Sequence, residues 1–143
     1  MGPMADLVID TSVIIKWYSA HQEPGFERAR ALLQDHAHRK GRLHVPLLAL
    51  YEAGNALRYG SRLSAQEQLR CLTDLFAVGL AIHPLTAAGA ALAHEVSCLF
   101  EVSFYDACFV ALAQELGLSF VTADERLCRK LSSLSTVCSL TSF

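Results

Sequence analysis

The sequence predicts an α/β fold in which a parallel sheet is covered by helices on both faces. Three observations carry this. Short apolar runs without helical spacing recur along the chain. Segments with apolar residues every three to four positions separate them. No repeat, low-complexity tract or long Pro/Gly/Ser linker divides the 143 residues, so residues 1–143 read as one domain. Strands buried on both faces appear as continuous apolar runs, and their regular alternation with helices is the pattern of a parallel sheet.

Each element follows from local signals. Leu7-Val8-Ile9 reads as a buried strand running into a helix start at Asp10-Thr11-Ser12. Pro24 suits the first position of a helix, and Phe26, Ala29, Leu32 and Leu33 then give an apolar stripe to about His38. Arg39-Lys40-Gly41-Arg42 ends that helix. Leu43-His44-Val45 is a second strand, and Pro46 opens a helix that stops near Gly60. Ser64-Ala65-Gln66-Glu67 is a capping box before a helix to about Phe76. Val78 to His83 reads as a third strand, followed by Pro84 and a helix from about Thr86 to Phe100. Ser103 caps the next helix, which Gly117 ends. Leu118 to Thr122 is a fourth strand, Asp124 to Leu131 a short helix, and Thr136 to Leu140 a last strand.

Composition bounds the function. A chain near this length buries roughly 70% of its unfolded surface, so it needs neither a disulfide framework nor a structural metal. At 52% hydrophobic and 18% charged residues, some of the apolar surface is expected to face another chain. Twelve Lys and Arg against fourteen Asp and Glu give a net charge of −2, which lacks the global basic charge of a protein that coats nucleic acid. RNA stays open as a substrate, because a local basic rim and a metal held by carboxylates can gather phosphates.

The five cysteines, Cys71, Cys98, Cys108, Cys128 and Cys138, contain no C-x-x-C pair and no zinc-type spacing. They read as reduced core residues, which points to the cytoplasm. Residues Met1 to Met4 carry no positive segment leading into a long apolar stretch, so no signal peptide is expected. Leu75 to His94 lacks Asp, Glu, Lys and Arg over twenty residues, but His83-Pro84, Gly79 and Gly89 make it a strand, turn and helix start rather than a membrane span.

Most acids, among them Glu23, Glu27, Asp35, Glu67, Glu95, Glu115 and Glu125, read as solvated helix charges. Four do not. Asp10 and Asp124 follow apolar strands, and Glu52 and Asp106 lie inside helices among apolar neighbours such as Ala49, Ala56, Val102 and Phe109. The carboxyl ends of strands near a topological switch point form the ligand crevice of an open parallel sheet. Asp10 and Asp124 belong on that rim, and Glu52 and Asp106 can reach it from flanking helices. Converging carboxylates repel, so a raised pKa or a bound divalent cation is expected; Mg²⁺ or Mn²⁺ suits oxygen ligands. Plainer readings stand beside this one: Asp10, Asp106 and Asp124 as helix caps, and Glu52 paired with Arg58 or another base. Capping does not explain Glu52, nor why both helical acids fall on apolar sides.

The ordered set Val8-Ile9-Asp10-Thr11-Ser12-Val13-Ile14-Ile15, a Pro46-led helix with Glu52, Ser103-Phe104-Tyr105-Asp106-Ala107, and Phe120-Val121-Thr122-Ala123-Asp124 resembles the PIN-domain ribonucleases. The resemblance is closest to the VapC-like toxins of toxin–antitoxin pairs. It implies a three-layer α/β/α sandwich around a mainly parallel sheet of about five strands. It also implies metal-dependent cleavage of RNA to a 5′-phosphate and a 3′-hydroxyl, a cognate antitoxin and a homodimer. Asp10, Glu52, Asp106 and Asp124 match the family's acidic quartet, with Asp10, Asp106 and Asp124 as metal ligands and Glu52 as ligand through water or as base. Thr11, Ser12 and Thr122 match its hydroxyl positions. Four of the fourteen acids would then share one site, offset once ions bind.

For RNA contacts the candidates are Lys16, Arg58, Arg62 and Arg126, with Arg129 and Lys130 nearby, each also readable as a solvated charge. Trp17 or Tyr18 can stack on a base, or Trp17 can serve the core or a dimer interface. The alternative to a nuclease is a non-cleaving PIN-like module that binds RNA or protein. A Mg²⁺ phosphatase is a further alternative, but Asp10-Thr11-Ser12 lacks a D-x-D signature and no phosphate-binding glycine loop is present.

Overall fold

The computed structural model describes residues 5–19 and 23–142. The expectation on Met1 to Met4 lies outside the described residues, as does part of the loop from Ser19 to Glu23. In chain order the elements are β1 (Leu7–Ile9), α1 (Thr11–Lys16), α2 (Phe26–Ala37), β2 (Leu43–Pro46), α3 (Leu48–Gly60), α4 (Ala65–Ala77), β3 (Ala81–His83), α5 (Ala87–Phe100), α6 (Phe104–Leu116), β4 (Ser119–Thr122), α7 (Glu125–Lys130) and β5 (Val137–Ser139). A 3₁₀ turn covers Leu140–Ser142.

The five strands form one sheet in the order β3-β2-β1-β4-β5, every neighbouring pair parallel. The register aligns Val8 with His44 on one side and with Phe120 on the other. Connections from β1 run outward to β2 and β3, then return over the sheet to β4 and continue to β5. Right-handed crossovers therefore place α1 to α4 on one face and α5 to α7 on the other. Helix contacts agree, since α1 meets α2 and α3, α3 meets α4, and α5 packs along α6.

The core sits on both faces of β1 and β4. Val8, Ile9, Phe120 and Val121 are wholly buried, and Phe109 of α6 lies against Phe120 with ring centroids 5.8 Å apart. Every residue from Ala107 to Ala113 is buried, because α6 is held between the sheet and α5. This explains why α6 is apolar nearly all round. Gly89 of α5 faces the far end of the Glu115 side chain, whose Oε1 is 2.8 Å from where a Cβ would stand.

Local signals place most helix starts. Ser64 and Glu67 form the reciprocal capping box, over 3.2 Å and 3.1 Å. Thr86 and Ser103 accept from the N–H groups of Gly89 and Asp106, each at 3.0 Å. Three boundaries differ from expectation. Pro24 is not the first residue of α2; Gly25, at φ 82°, takes the cap, and Phe26 begins the helix. Pro46 ends β2 instead of opening α3, whose cap is Leu47. Val78 and Gly79 are not in β3: Val78 caps α4, Gly79 turns the chain at φ 75°, and the strand starts at Ala81.

The cysteines also depart from expectation. All five are free, but only Cys108 is buried, and Cys98 is exposed. Among the described residues no single helix is long and apolar enough to cross a membrane. The uncharged stretch from Leu75 to His94 divides into the end of α4, β3 and the start of α5.

Candidate active site

The chain leaves β1 toward β2 and leaves β4 toward β5, in opposite directions across the sheet, so the switch point lies above the adjacent β1 and β4. Asp10 directly follows β1, and Asp124 lies two positions beyond Thr122, the last residue of β4. Glu52 comes from α3 on one face and Asp106 from the first turn of α6 on the other. All four predicted acids thus belong to the carboxyl edge of the sheet.

Asp10 is the anchor, with 7% of its surface exposed. Its Oδ1 accepts from the Thr11 N–H at 2.9 Å, capping α1. Its Oδ2 accepts from Ser12 Oγ and from Thr122 Oγ1, each at 2.7 Å. Both hydroxyls accept backbone protons in turn: Ser12 Oγ from Ala123 N–H and Thr122 Oγ1 from Asp124 N–H, at 3.0 Å each. Thr11 Oγ1 donates to Glu52 Oε1 at 2.8 Å, tying α1 to α3. The three predicted hydroxyls therefore each hold a carboxylate of the predicted set.

The capping reading holds alongside the site for Asp10 and Asp124, while Ser103 rather than Asp106 caps α6. Asp124 Oδ1 accepts from Leu127 N–H at 3.1 Å and caps α7, while Asp106 lies at the third position of α6. Glu52 is not among the salt-bridged residues; Arg58 lies over the Tyr59 ring at 4.7 Å instead.

The electrostatics tie the acids together. Burial pushes the Asp10 carboxyl above the usual range; hydrogen bonds from Ser12, Thr122 and Thr11 pull it back, and the Asp124 charge adds to the rise. Burial also raises Glu52, against the Thr11 hydrogen bond, with Asp10 and Asp106 adding to it. Asp106 is raised by burial first, then by Asp10 and Asp124, against the pull of Ser103 and Lys130. Lys130 is held nearby by donating its Nζ to the Glu101 carbonyl at 3.0 Å.

An oxygen-only set, with Asp10 buried, Glu52 and Asp106 half-buried and Asp124 exposed, suits a hard divalent cation. The present side-chain positions do not yet close on one: among the described residues, no three His, Cys, Asp or Glu side chains form a metal-holding group.

The predicted basic residues scatter. Lys16 pairs with Glu23 at 3.7 Å, and its side chain is 17% exposed. Arg58 lies six positions beyond Glu52 in α3, about 9 Å along the helix axis. Arg62, Arg126 and Arg129 are exposed. The two aromatic candidates are engaged within the fold, Trp17 Nε1 donating to the Ala29 carbonyl at 2.8 Å and Tyr18 to Asp74 at 2.8 Å.

Part of the apolar surface expected to face another chain is gathered in one place. A cleft of about 270 Å³ adjoins the acids, with Leu47, Tyr51, Leu85, Phe104 and Tyr105 exposed on its walls and His83 and Cys108 lining it. Its sequence signal was the aromatic residue directly before each helical acid, Tyr51 before Glu52 and Tyr105 before Asp106.

The fold and site define a doubly wound, all-parallel α/β protein with an acidic crevice at its switch point. A family model of the PIN domain matches residues 7–131, and the chain belongs to that family. Solved structures are similar across nearly the full length. A toxin–antitoxin complex from Klebsiella pneumoniae aligns at TM-score 0.70 and 16% identity, covering 94% of this chain and 98% of that one. DNA-bound VapBC from Salmonella typhimurium aligns at TM-score 0.70 and 16% identity, covering 96% and 99%. VapC20 of Mycobacterium tuberculosis, a sarcin-ricin loop cleaving toxin, aligns at TM-score 0.64 and 17% identity, covering 82% and 88%. A sequence comparison with curated proteins finds no match.

Proposed function

We propose that the protein is a Mg²⁺- or Mn²⁺-dependent endoribonuclease acting in the cytoplasm as the toxin of a toxin–antitoxin pair. The observation that carries this reading is the placement of Asp10, Glu52, Asp106 and Asp124 at the switch point of a PIN fold, with the hydroxyls of Thr11, Ser12 and Thr122 bonded among them. Membership of the family and the likeness to toxin structures support it.

Asp10, Asp106 and Asp124 would hold the ion. When bound, a divalent cation lowers the pKa of a water and offsets charge on a phosphodiester. The chain's own residues do the rest. Ser12 and Thr122 fix Asp10, so that it is set in place before substrate arrives. Thr11 orients Glu52, whose raised pKa suits it to take a proton at its carboxylate. Asp106, at the start of α6, and Asp124, at the start of α7, would complete the oxygen ligands around Asp10. Lys130, whose charge acts on Asp106, would supply positive charge toward a phosphate. The apolar cleft walled by Leu47, Tyr51 and Tyr105 supports burial against another protein chain, a second copy or the antitoxin.

The test is incubation of antitoxin-free protein with total RNA, with and without Mn²⁺. Metal-dependent cuts that vanish in Asp106→Asn are expected. RNA binding without cutting, unaffected by Asp10→Asn, would replace the nuclease with a binding module.

A further inference from the structure

A second charged feature lies at the opposite edge of the sheet. Asp6, His36, Arg39, Lys40, Gly41, Arg42, Val78 and Gly79 line a polar cleft of about 790 Å³ where β1 and β2 begin. The strand itself, three residues in β1, separates it from the acids by about 10 Å. Arg39, Lys40 and Arg42 are exposed, and neither salt bridge among the described residues, Lys16–Glu23 or His44–Asp6, involves them. The carboxylate in the cleft, Asp6, is occupied by the Arg42 N–H at 3.0 Å and by His44 Nε2 at 3.1 Å. Three cations thus face one engaged acid, in a protein whose net charge is −2.

The loop is built, not merely exposed. α2 ends in a Schellman motif: Lys40 N–H donates to the Asp35 carbonyl at 2.9 Å and Arg39 N–H to the His36 carbonyl at 3.1 Å. The position that glycine normally takes there is Arg39, at φ 58°. His36 pins the loop from below: its Nδ1 accepts from Leu43 N–H at 3.1 Å, so its Nε2 donates to the Val78 carbonyl at 3.0 Å. A guanidinium is therefore presented from a left-handed turn that favours a residue without a side chain.

We infer that this cleft is a second RNA-docking site, which takes the phosphodiester backbone of a folded RNA while another part of it lies in the acidic crevice. The inference rests on the nuclease reading and sharpens its substrate class, to RNA large enough to span both edges of the sheet. Exposed cations on long stems suit a phosphate backbone, which is held electrostatically and without sequence preference. A small anion would call for a buried, preorganised donor, and the three side chains here are exposed.

The experiment compares the full-length wild type with Arg39→Gly/Lys40→Gln/Arg42→Gln in EDTA. The probe is a fluorescent tRNA transcript, and the control variant is Arg28→Gln/Arg30→Gln/Arg70→Gln, which removes three exposed charges outside the cleft. The cleft variant is expected to bind the tRNA about tenfold more weakly than wild type, with a salt slope shallower by about 2 to 3, and the control variant to stay near wild type. Arg39→Gly alone suits its backbone and keeps the fold, so it gives the same trend from a stable protein. Equal tRNA affinity in wild type and cleft variant, or equal weakening by the cleft and control variants, overturns the site. Failure of the wild type to bind the tRNA in EDTA overturns the site, while the metal-dependent nuclease reading stands or falls on the cleavage test. Cleavage does not enter the readout, so an absence of cutting is scored separately.

Discussion

Thr122 Oγ1 donates to Asp10 Oδ2 at 2.7 Å across 112 positions of sequence and accepts from the Asp124 N–H at 3.0 Å. One fully buried hydroxyl therefore joins the ends of β1 and β4 and sets the spacing of two acids. The parallel register that aligns Ile9 with Val121 brings it there. Ser12 repeats the arrangement, donating to Asp10 and accepting from Ala123.

Thr122→Val keeps the shape of the side chain and removes its proton and lone pairs. A hydrogen bond to a charged group contributes about 1.5–3 kcal/mol, and the Asp124 N–H loses its acceptor as well. Urea unfolding at neutral pH is expected to show stability lower by about 2 kcal/mol with an unchanged slope. An unaltered midpoint would mean that the hydroxyl does not support Asp10.

Asp10, Glu52 and Asp106 all have folded-state pKa values above their ordinary ones. Between the ordinary carboxyl range and these raised values the folded chain binds more protons than the unfolded one, so stability falls as pH rises through that window. Metal-free Asp106→Asn is therefore expected to melt higher than wild type at neutral pH, with the difference closing as pH drops below the ordinary carboxyl range. A variant that melts lower at neutral pH would contradict the repulsion among these acids.

Mn²⁺ binding to the folded chain alone raises stability by about 1.4 kcal/mol when the free ion stands at ten times its Kd. Titration of wild type is expected to raise Tm progressively, and the rise should be lost in Asp10→Asn. A Tm indifferent to the ion would leave these carboxylates without a metal.

Arg39 holds a left-handed conformation that costs an L-residue about 1–2 kcal/mol. Glycine removes that cost but loses more backbone entropy on folding, roughly 0.5–1 kcal/mol. Arg39→Gly is expected to be more stable by about 0.5–1 kcal/mol in urea unfolding. Destabilisation would show that the Arg39 side chain supports the fold itself.

Much of this was legible in the chain. Each strand is a short apolar run, and the capping box at Ser64 and the caps at Thr86 and Ser103 mark their helices locally. The acids could be found because Asp10 and Asp124 follow strands and the other two interrupt apolar helix faces. Boundaries failed where two local preferences competed. Val78 continues an apolar run, yet the α4 ladder claims it, and Gly79 then breaks the strand pattern. At the start of α2 the helix-start preference of Pro24 gives way to Gly25, which takes the left-handed cap. The hydroxyl bonds to Asp10 depend on which strands become neighbours, and no local pattern carries that. The cleft beside the acids draws on α3, the β3–α5 connection and α6, so it too exists only in the assembled fold. Cysteines carry no positional code, and only Cys108 reached the core.

Sequencing the ends of RNA treated with the purified protein tests the nuclease reading most directly. With Mn²⁺, discrete internal cuts bearing 5′-phosphate and 3′-hydroxyl ends are expected from wild type and none from a folded Asp106→Asn. Intact RNA with both proteins, or equal cutting by both, would contradict it.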